Sequence, residues 1–347
     1  MPLPPKIVRR LLLAPLGLAL ALALVILSPV LLLASLLVDL TTSRRRWQTT
    51  RVVAFGIVYL AFEAFGIVTL FVLWIASGFG LRMRSARVQE AHYAFMRWWL
   101  AGLNRAARKL FGLKIWIEDR PVPRTGPILV FSRHAGPGNS MMLIGTVMVG
   151  YRRNPRIVML AKLQWDPLAD IMFNRTPNRF IQHDPNRRDA FVQAIRDLAT
   201  GLGERDAFVL FPEGKDFTHR QRRWAIDRLR QKGHHDEADK AEQLTRMLPP
   251  RHHGVRAAMA GAPNADIVFV AHTVLEDVGS VGDLWNRVPF DRPILSRYWR
   301  LSPDDVPETQ QEVIDWLFAW WERIDAWVED NRAMPDAQIE AAGLTPG

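Results

Sequence analysis

The fold is decided by a segment in the middle of the chain that reads Phe131-Ser132-Arg133-His134-Ala135-Gly136-Pro137-Gly138-Asn139-Ser140. An apolar run precedes this segment, and a helix is predicted to begin near Asn139. A histidine in such a turn is held at the end of a strand and is still accessible to a substrate. The segment therefore predicts a strand–turn–helix unit of an α/β fold, with His134 as a candidate general base.

Asn139 is the predicted partner of this histidine. It follows His134 by five positions, and at a helix N-terminus its side chain can turn back toward the imidazole. A general base of this kind works best when a second group orients its other ring nitrogen. We therefore expect the imidazole of His134 and the side chain of Asn139 to lie together.

A second informative segment reads Val209-Leu210-Phe211-Pro212-Glu213-Gly214-Lys215-Asp216-Phe217-Thr218. Here too a buried strand is predicted to run into a loop. Charged side chains and free backbone N–H groups beside a glycine suit a phosphorylated ligand. The alternative is an ordinary turn with solvated charges. On the first interpretation the substrate-binding residues of this loop are Phe211, Pro212, Glu213, Gly214 and Lys215.

Strands and helices alternate on both sides of these segments. The predicted strands cover residues 114–118, 127–132, 156–161, 179–182, 207–211 and 266–272. Helices are predicted near Asn139 and Asp166 and over residues 187–202 and 308–328. Such alternation is typical of a mixed α/β sheet flanked by helices.

The N-terminal part of the chain is strongly apolar. Residues 11–37 carry no charge and residues 52–80 carry only Glu63, and each run exceeds the roughly 20 residues that cross a bilayer. We expect a helical hairpin over residues 1–82 that either spans the membrane or lies in one leaflet as a monotopic anchor. Glu63 favours the second arrangement, because a carboxyl group is unfavourable in lipid.

Four further regions follow from composition and pattern. An amphipathic helix over residues 83–112 connects the hairpin to the α/β domain, which covers residues 113–334. A basic helical insertion interrupts this domain at residues 218–250 and breaks at Gly233, and a loosely ordered tail covers residues 335–347. Basic residues are more numerous on the two flanks of the hairpin than in its loop, which predicts that both flanks face the cytoplasm, at the inner or plasma membrane of a bacterium.

The net charge restricts the partners. Forty-five Lys and Arg against 35 Asp and Glu give a charge of +10, which favours membrane lipids with anionic headgroups or phosphorylated substrates. Nucleic acid is not expected, because the chain begins with apolar runs and contains no nucleic-acid motif. The absence of cysteine excludes disulfides, zinc–thiolate sites and thiol nucleophiles, and no metal site is predicted.

The histidine segment followed by Phe211-Pro212-Glu213-Gly214 resembles the 1-acyl-sn-glycerol-3-phosphate acyltransferase family. That family has a first block His-x-x-x-x-Asp and a third block Phe-Pro-Glu-Gly, and the resemblance covers about residues 113–273. It implies an enzyme that needs no cofactor and uses acyl-CoA or acyl carrier protein as co-substrate. His134 would take the proton of the hydroxyl of a lysophospholipid such as lysophosphatidic acid. Glu213 and Gly214 would help to bind its glycerol phosphate.

This sequence departs from the family pattern at two positions. Asn139 stands where the family has Asp, and His183 stands where the second block has a phosphate-binding Arg. Nearby basic residues could take over the phosphate, and the candidates are Lys162, Arg179, Arg187 and Arg188. Arg133, beside the histidine, is a further candidate for substrate binding. No acid is an obvious substitute for the missing Asp; Asp119 and Asp166 are conceivable only if the fold brings them close.

These departures leave two alternatives open. The chain could be an attenuated or non-catalytic lipid-binding membrane protein that retains the acyltransferase fold, as Asn139 and His183 suggest. It could also transfer the acyl group to a glycolipid or another membrane alcohol. The altered second block and the basic insertion favour this second alternative, because acceptor choice depends on those loops.

Overall fold

A computed structural model of the chain describes residues 3–42, 46–118, 122, 125–182, 188–274, 278, 280–334 and 345–346. The chain forms two compact units. The first comprises Met1–Leu113, Ile157–Asn186 and Trp285–Asp291. The second comprises Lys114–Arg156, Arg187–Leu284 and Arg292–Gly347.

Thirteen α-helices and eight strands occur among the described residues. In chain order the helices are α1 (Lys6–Val8), α2 (Ala14–Ile26), α3 (Ser28–Thr41), α4 (Gln48–Ala76), α5 (Ala86–Phe111), α6 (Pro137–Gly145), α7 (Pro167–Phe173), α8 (Arg188–Ala199), α9 (His219–Gln231), α10 (His235–Gln243), α11 (His252–Gly261), α12 (Val281–Arg287) and α13 (Gln310–Asn331). The strands are β1 (Ile115–Glu118), β2 (Ile128–Ser132), β3 (Asn154–Leu160), β4 (Arg179–Ile181), β5 (Asp206–Leu210), β6 (Asp266–His272), β7 (Ile294–Leu301) and β8 (Thr345–Pro346).

The second unit is built on a mixed sheet. Its strands lie in the order β5-β2-β6-β7-β1-β8. Strand β2 pairs in parallel with both β5 and β6, whereas β7 is antiparallel to β6 and β8 is antiparallel to β1. All five residues of β2 are buried, as expected for a central parallel strand covered on both faces. The predicted mixed α/β sheet flanked by helices is confirmed.

The six predicted strands are present, each within two residues of its predicted ends. Strand β7 was not predicted, because Ser296, Arg297 and Arg300 interrupt its apolar pattern. Strand β8 lies in the region that we expected to be a loosely ordered tail. Residues 335–344 and 347 of that region lie outside the described residues, and Thr345–Pro346 pair with β1.

The apolar runs of the first unit form three helices rather than two. The first run is divided at Leu27, and Pro29 lies in the first turn of α3, where a missing N–H is tolerated. Helices α2 and α3 both pack against α4. The stretches Lys6–Ile26 and Gln48–Ala76 are long and apolar enough to cross a membrane, by length and composition only. The amphipathic helix that follows is α5.

Helix α4 makes polar contacts along its length with other parts of the first unit. Near its start, the Arg51 side chain donates to the carbonyl of Leu110 at 2.6 Å. In its middle, Glu63 accepts a hydrogen bond from the N–H of Leu168 at 3.0 Å. Near its end, the carbonyl of Leu70 accepts from Arg175 at 2.5 Å. Helix α4 is therefore joined to polar groups of the first unit at three points along its length.

The basic insertion consists of α9 and α10, as predicted. Gly233 has a φ of +79° and separates the two helices, in a conformation that a glycine adopts without steric strain. Three small or apolar side chains of the insertion pack against Ile314 and Phe318 of α13; they belong to Ile226, Ala238 and Ala241. The C-terminal helix thus supports the insertion, which follows the loop at the end of β5.

Candidate active site

His134 lies two residues beyond the end of the central strand β2. Its ring packs against the ring of Phe211, with centroids 4.5 Å apart and planes inclined by 30°. Gly136 has a φ of +141° and directly precedes α6, a conformation that side chains other than glycine rarely adopt. The chain therefore turns sharply after His134 and leaves the imidazole at the strand end.

A buried carboxyl group joins the histidine segment to the Phe-Pro-Glu-Gly segment. One oxygen of Glu213 accepts from the N–H of His134 at 2.9 Å, and the other accepts from the N–H of Leu248 at 3.0 Å. The N–H of Phe217 donates to the carbonyl of His134 at 2.9 Å. Both sides of the His134 backbone are thus held by the second segment, and the two segments singled out in the sequence meet in the fold.

The Phe-Pro-Glu-Gly segment forms a tight turn. The N–H of Gly214 donates to the carbonyl of Phe211 at 3.0 Å, and Gly214 has a φ of +68°. A Cβ atom at Gly214 would lie 3.1 Å from Nη1 of Arg251. Pro212 is buried, and its carbonyl accepts from the N–H of Arg251. Glycine at position 214 therefore adopts the positive φ of the turn without steric strain, and it leaves room for the guanidinium group of Arg251.

The acid beside the histidine is Asp216, which sequence reasoning missed. Oδ1 of Asp216 lies 3.0 Å from Nδ1 of His134. This is an ion-pair distance, although the atoms are not aligned as in a good hydrogen bond. Nδ1 is buried, and the His134 side chain as a whole is 22% exposed. The imidazole therefore turns Nδ1 toward a carboxylate and keeps part of its ring accessible.

Asn139, predicted to orient the imidazole of His134, makes its hydrogen bond to the end of β2. Its Nδ2 donates to the carbonyl of Arg133 at 2.9 Å, and the whole residue is buried. Its Oδ1 is buried without a hydrogen-bond partner among the described residues. Asn139 therefore holds the end of β2, and Asp216 rather than Asn139 faces the imidazole.

Arg133 and Glu213, both predicted to bind substrate, make internal hydrogen bonds, and their roles in binding stay predictions. The Arg133 side chain is fully buried and donates to the carbonyls of His272 and Arg246, at 2.7 and 3.0 Å. Glu213 is 1% exposed, and backbone amides occupy both of its oxygens. Neither side chain is accessible to a substrate in this arrangement.

The remaining predicted residues lie elsewhere in the chain. Lys162 lies on the 3-10 turn Ala161–Trp165 and Arg179 begins β4; both are exposed and belong to the first unit. His183 and Arg187 lie outside the described residues. Asp119 also lies outside them, and Asp166 accepts from the hydroxyl of Tyr59 at 2.8 Å and caps α7. Their roles in binding stay predictions.

Comparison with known proteins points to one family. Residues 114–283 match the family model described as Acyltransferase, and this range contains both segments of the site. Over this range the chain is similar to the acyltransferase family. Among solved structures it is similar to PlsC, the 1-acyl-sn-glycerophosphate (LPA) acyltransferase from Thermotoga maritima, at 12% identity and a TM-score of 0.48. That similarity covers 82% of this chain and 99% of the other. No curated protein matches significantly.

A cluster of basic side chains lies beside the Phe-Pro-Glu-Gly turn of the acyltransferase domain. Nζ of Lys215 lies 4.5 Å from the centre of the Trp224 ring, and the guanidinium carbon of Arg228 lies 5.0 Å from it. The Arg251 guanidinium approaches Gly214. Within the part of the chain that the structure describes, these three cations form no ion pair. Sequence reasoning named only Lys215, because the other two lie in and after the insertion.

No group of three or more His, Asp or Glu side chains that could hold a metal ion occurs among the described residues. The basic cluster is instead suited to an anion, since Lys and Arg donate charge-assisted hydrogen bonds to phosphate oxygens.

The charge state of Glu213 gives a test of its structural role. Burial raises the pKa of Glu213 from 4.5 to about 7, against the opposing effects of Arg133 and the two backbone N–H donors. A carboxyl group whose pKa is raised on folding stabilises the fold fully below its unfolded pKa. That contribution is lost as the pH rises through the folded pKa.

We therefore expect Glu213→Gln to remove a pH dependence of stability. The free energy of unfolding of the wild type, relative to this variant, should fall by up to about 3 kcal/mol between pH 4.5 and 8. Denaturant titrations at several pH values measure this difference, and any constant effect of the amide cancels in it. Glu322→Gln on the exposed face of α13 serves as the control. Parallel curves for the wild type and Glu213→Gln would contradict the buried-carboxyl interpretation.

Proposed function

We propose that the protein transfers a fatty acyl group from acyl-CoA or acyl carrier protein to the hydroxyl of a lysophospholipid, with lysophosphatidic acid as the simplest acceptor. The observation that carries the proposal is the placement of His134. Its backbone is fixed on both sides by the Phe-Pro-Glu-Gly loop, its Nδ1 faces a carboxylate, and its Nε2 is left for a substrate.

The reaction follows from this placement. Nε2 of His134 takes the proton of the acceptor hydroxyl while the oxygen attacks the carbonyl carbon of the thioester. The tetrahedral intermediate collapses, the C–S bond breaks, and an ester forms. The imidazolium returns its proton to the leaving thiolate, so that a free thiol is released and the histidine is ready again. No covalent acyl-enzyme is needed, in agreement with a chain that contains no cysteine.

Replacing His134 tests this mechanism. We expect His134→Ala to lower kcat about 10²- to 10⁴-fold, the usual contribution of a general base. The assay measures ester formation by the purified protein with acyl-CoA or acyl carrier protein and a panel of lysophospholipid and glycolipid acceptors. His235→Ala, an exposed histidine at the start of α10, is the matched control. Full activity in His134→Ala would refute the mechanism, and no turnover by the wild type would favour a lipid-binding protein.

A phosphorylated substrate is supported by the basic cluster of Lys215, Arg228 and Arg251. Three cations held close together without an ion-paired acid among the described residues repel one another, and an anion relieves that repulsion. Lys215 directly precedes Asp216, so the cluster adjoins the histidine. In a lysophospholipid the phosphate and the free hydroxyl are separated by only a few bonds, and in acyl-CoA the phosphates lie further from the reacting carbonyl.

Removing one charge from the cluster should weaken phosphate binding. We expect Arg251→Ala to raise KM for lysophosphatidic acid about tenfold with little change in kcat, because a hydrogen bond to a charged group contributes about 1.5–3 kcal/mol. Arg230→Ala removes the same charge from an ion pair with Glu242 on the insertion and should leave KM unchanged. A rise in KM for acyl-CoA alone would place the donor's phosphates here, and an unchanged KM for both would exclude the cluster from binding.

The anchor is proposed to be monotopic, on the cytoplasmic face of a bacterial membrane. A helix that spans the bilayer presents its middle to lipid, where unpaired polar groups are unfavourable. The middle of α4 instead bonds to the segment around Leu168, and both of its ends bond to other polar groups. These contacts support helices that lie in one leaflet and rest on protein along one side.

The absence of cysteine makes the anchor directly testable. Single-cysteine variants Thr42→Cys, in the loop before α4, and Arg84→Cys, after it, can be labelled with a membrane-impermeant maleimide in intact cells and in inverted vesicles. We expect both positions to react only in inverted vesicles. Labelling of Thr42→Cys from outside, with Arg84→Cys still labelled from inside, would show a hairpin that spans the membrane.

A further inference from the structure

The family pattern places an acid at position 139, in the first segment. In this chain the acid beside His134 is Asp216, in the second segment. We infer that Asp216 acts as the positioning residue of His134, and that Asn139 has become a structural residue that cannot take this role. The inference rests on the proposed function, because it concerns the group that this function uses as its base.

The backbone around Asp216 fixes where its carboxylate can go. Glu213 binds the N–H of His134, and the N–H of Phe217 binds the carbonyl of the same residue. Asp216 lies between these two attachment points in the chain, so its side chain is anchored on both sides relative to the imidazole. Its Oδ1 lies 3.0 Å from the buried Nδ1.

The amide of Asn139 binds a backbone carbonyl instead of the imidazole. The carbonyl of Arg133, at the end of β2, is buried and accepts from Nδ2 of Asn139 at 2.9 Å. A carboxylate at this position has no N–H to donate and would face the carbonyl oxygen with a like partial charge. An amide therefore fits position 139, and a carboxylate fits position 216, where a positive charge develops on the imidazole during the reaction.

The other charged groups around the imidazole are already engaged. Both oxygens of Glu213 accept from backbone amides, and the Arg133 guanidinium donates to two backbone carbonyls. On β6, burial and the nearby Arg133 hold the pKa of His272 well below its ordinary value, so this ring stays neutral. Asp216, with Oδ1 3.0 Å from Nδ1, is placed to compensate an imidazolium at His134.

Substitution of Asp216 should change the chemical step rather than binding. We expect Asp216→Asn to lower kcat about ten- to a hundredfold with KM within about twofold. This is less than the roughly 10⁴-fold effect of the equivalent change in serine proteases, because the Asp216 side chain is 50% exposed. Asp216→Glu should recover part of the rate, because it restores a carboxylate near Nδ1 of His134. Asp227→Asn, an exposed acid on α9, is the control.

The Asn139→Asp variant gives an independent prediction. Because the acid is already present at position 216, restoring the family residue should not raise kcat and should lower the melting temperature through loss of the bond to Arg133. A tenfold or greater gain would show that the site still lacks its acid and would overturn the inference. Wild-type kcat in Asp216→Asn would also overturn it, while an inactive His134→Ala would leave the proposed function intact.

An NMR measurement that requires no turnover tests the pairing of His134 with Asp216 separately from the proposed acyl transfer. In protein labelled with ¹⁵N-histidine, the resonance that disappears in His134→Ala identifies the imidazole. We expect the chemical shifts of this resonance to change in Asp216→Asn and to stay unchanged in Asp227→Asn, because only the first variant removes the carboxylate that lies 3.0 Å from Nδ1. Unchanged shifts in Asp216→Asn would refute the pairing even if the protein transfers no acyl group to any acceptor tested.

Discussion

The site depends on one buried carboxyl group. Glu213 accepts hydrogen bonds from the backbone N–H groups of His134 and Leu248, two donors that no strand or helix satisfies. Buried N–H groups without partners are strongly unfavourable, so the carboxyl group determines where both segments can lie. The Phe-Pro-Glu-Gly turn thereby holds the backbone of the histidine, while Asp216, just after the turn, places a carboxylate 3.0 Å from its Nδ1.

The support extends outward to the C-terminal helix. The carbonyl of Arg246 accepts from the buried Arg133, and the N–H of Arg246 donates to Asp325 on α13. Asp325 also binds both the N–H and the hydroxyl of Thr245. The loop that follows the basic insertion is therefore held between the strand end and α13, and this loop carries Leu248 to the carboxyl group of Glu213.

Sequence patterns predicted the elements whose signal is local. They did not predict which of several possible partners a side chain contacts. Apolar runs between turns predicted six strands, and the paired segments pointed to a site at which His134 and Glu213 meet. The roles of Asn139 and Asp216 depend on which one reaches a carbonyl and which reaches the imidazole, and spacing does not determine that direction. Burial of Glu213 was equally hidden, because a charged residue in a loop is expected to be solvated until the packing around it is known.

The sheet and the site join segments that are far apart in the sequence, and this determines how much of the chain must be synthesised before the site can form. Strand β1 pairs with β7, and Glu118 accepts a hydrogen bond from the indole N–H of Trp327. The loop that carries Leu248 to Glu213 is held by a hydrogen bond from the N–H of Arg246 to Asp325. His134 can therefore be held in its final position only after the residues up to Asp325 have been synthesised. Helices α2, α3 and α4 precede all of these residues in the chain, so they are synthesised before the site can be completed.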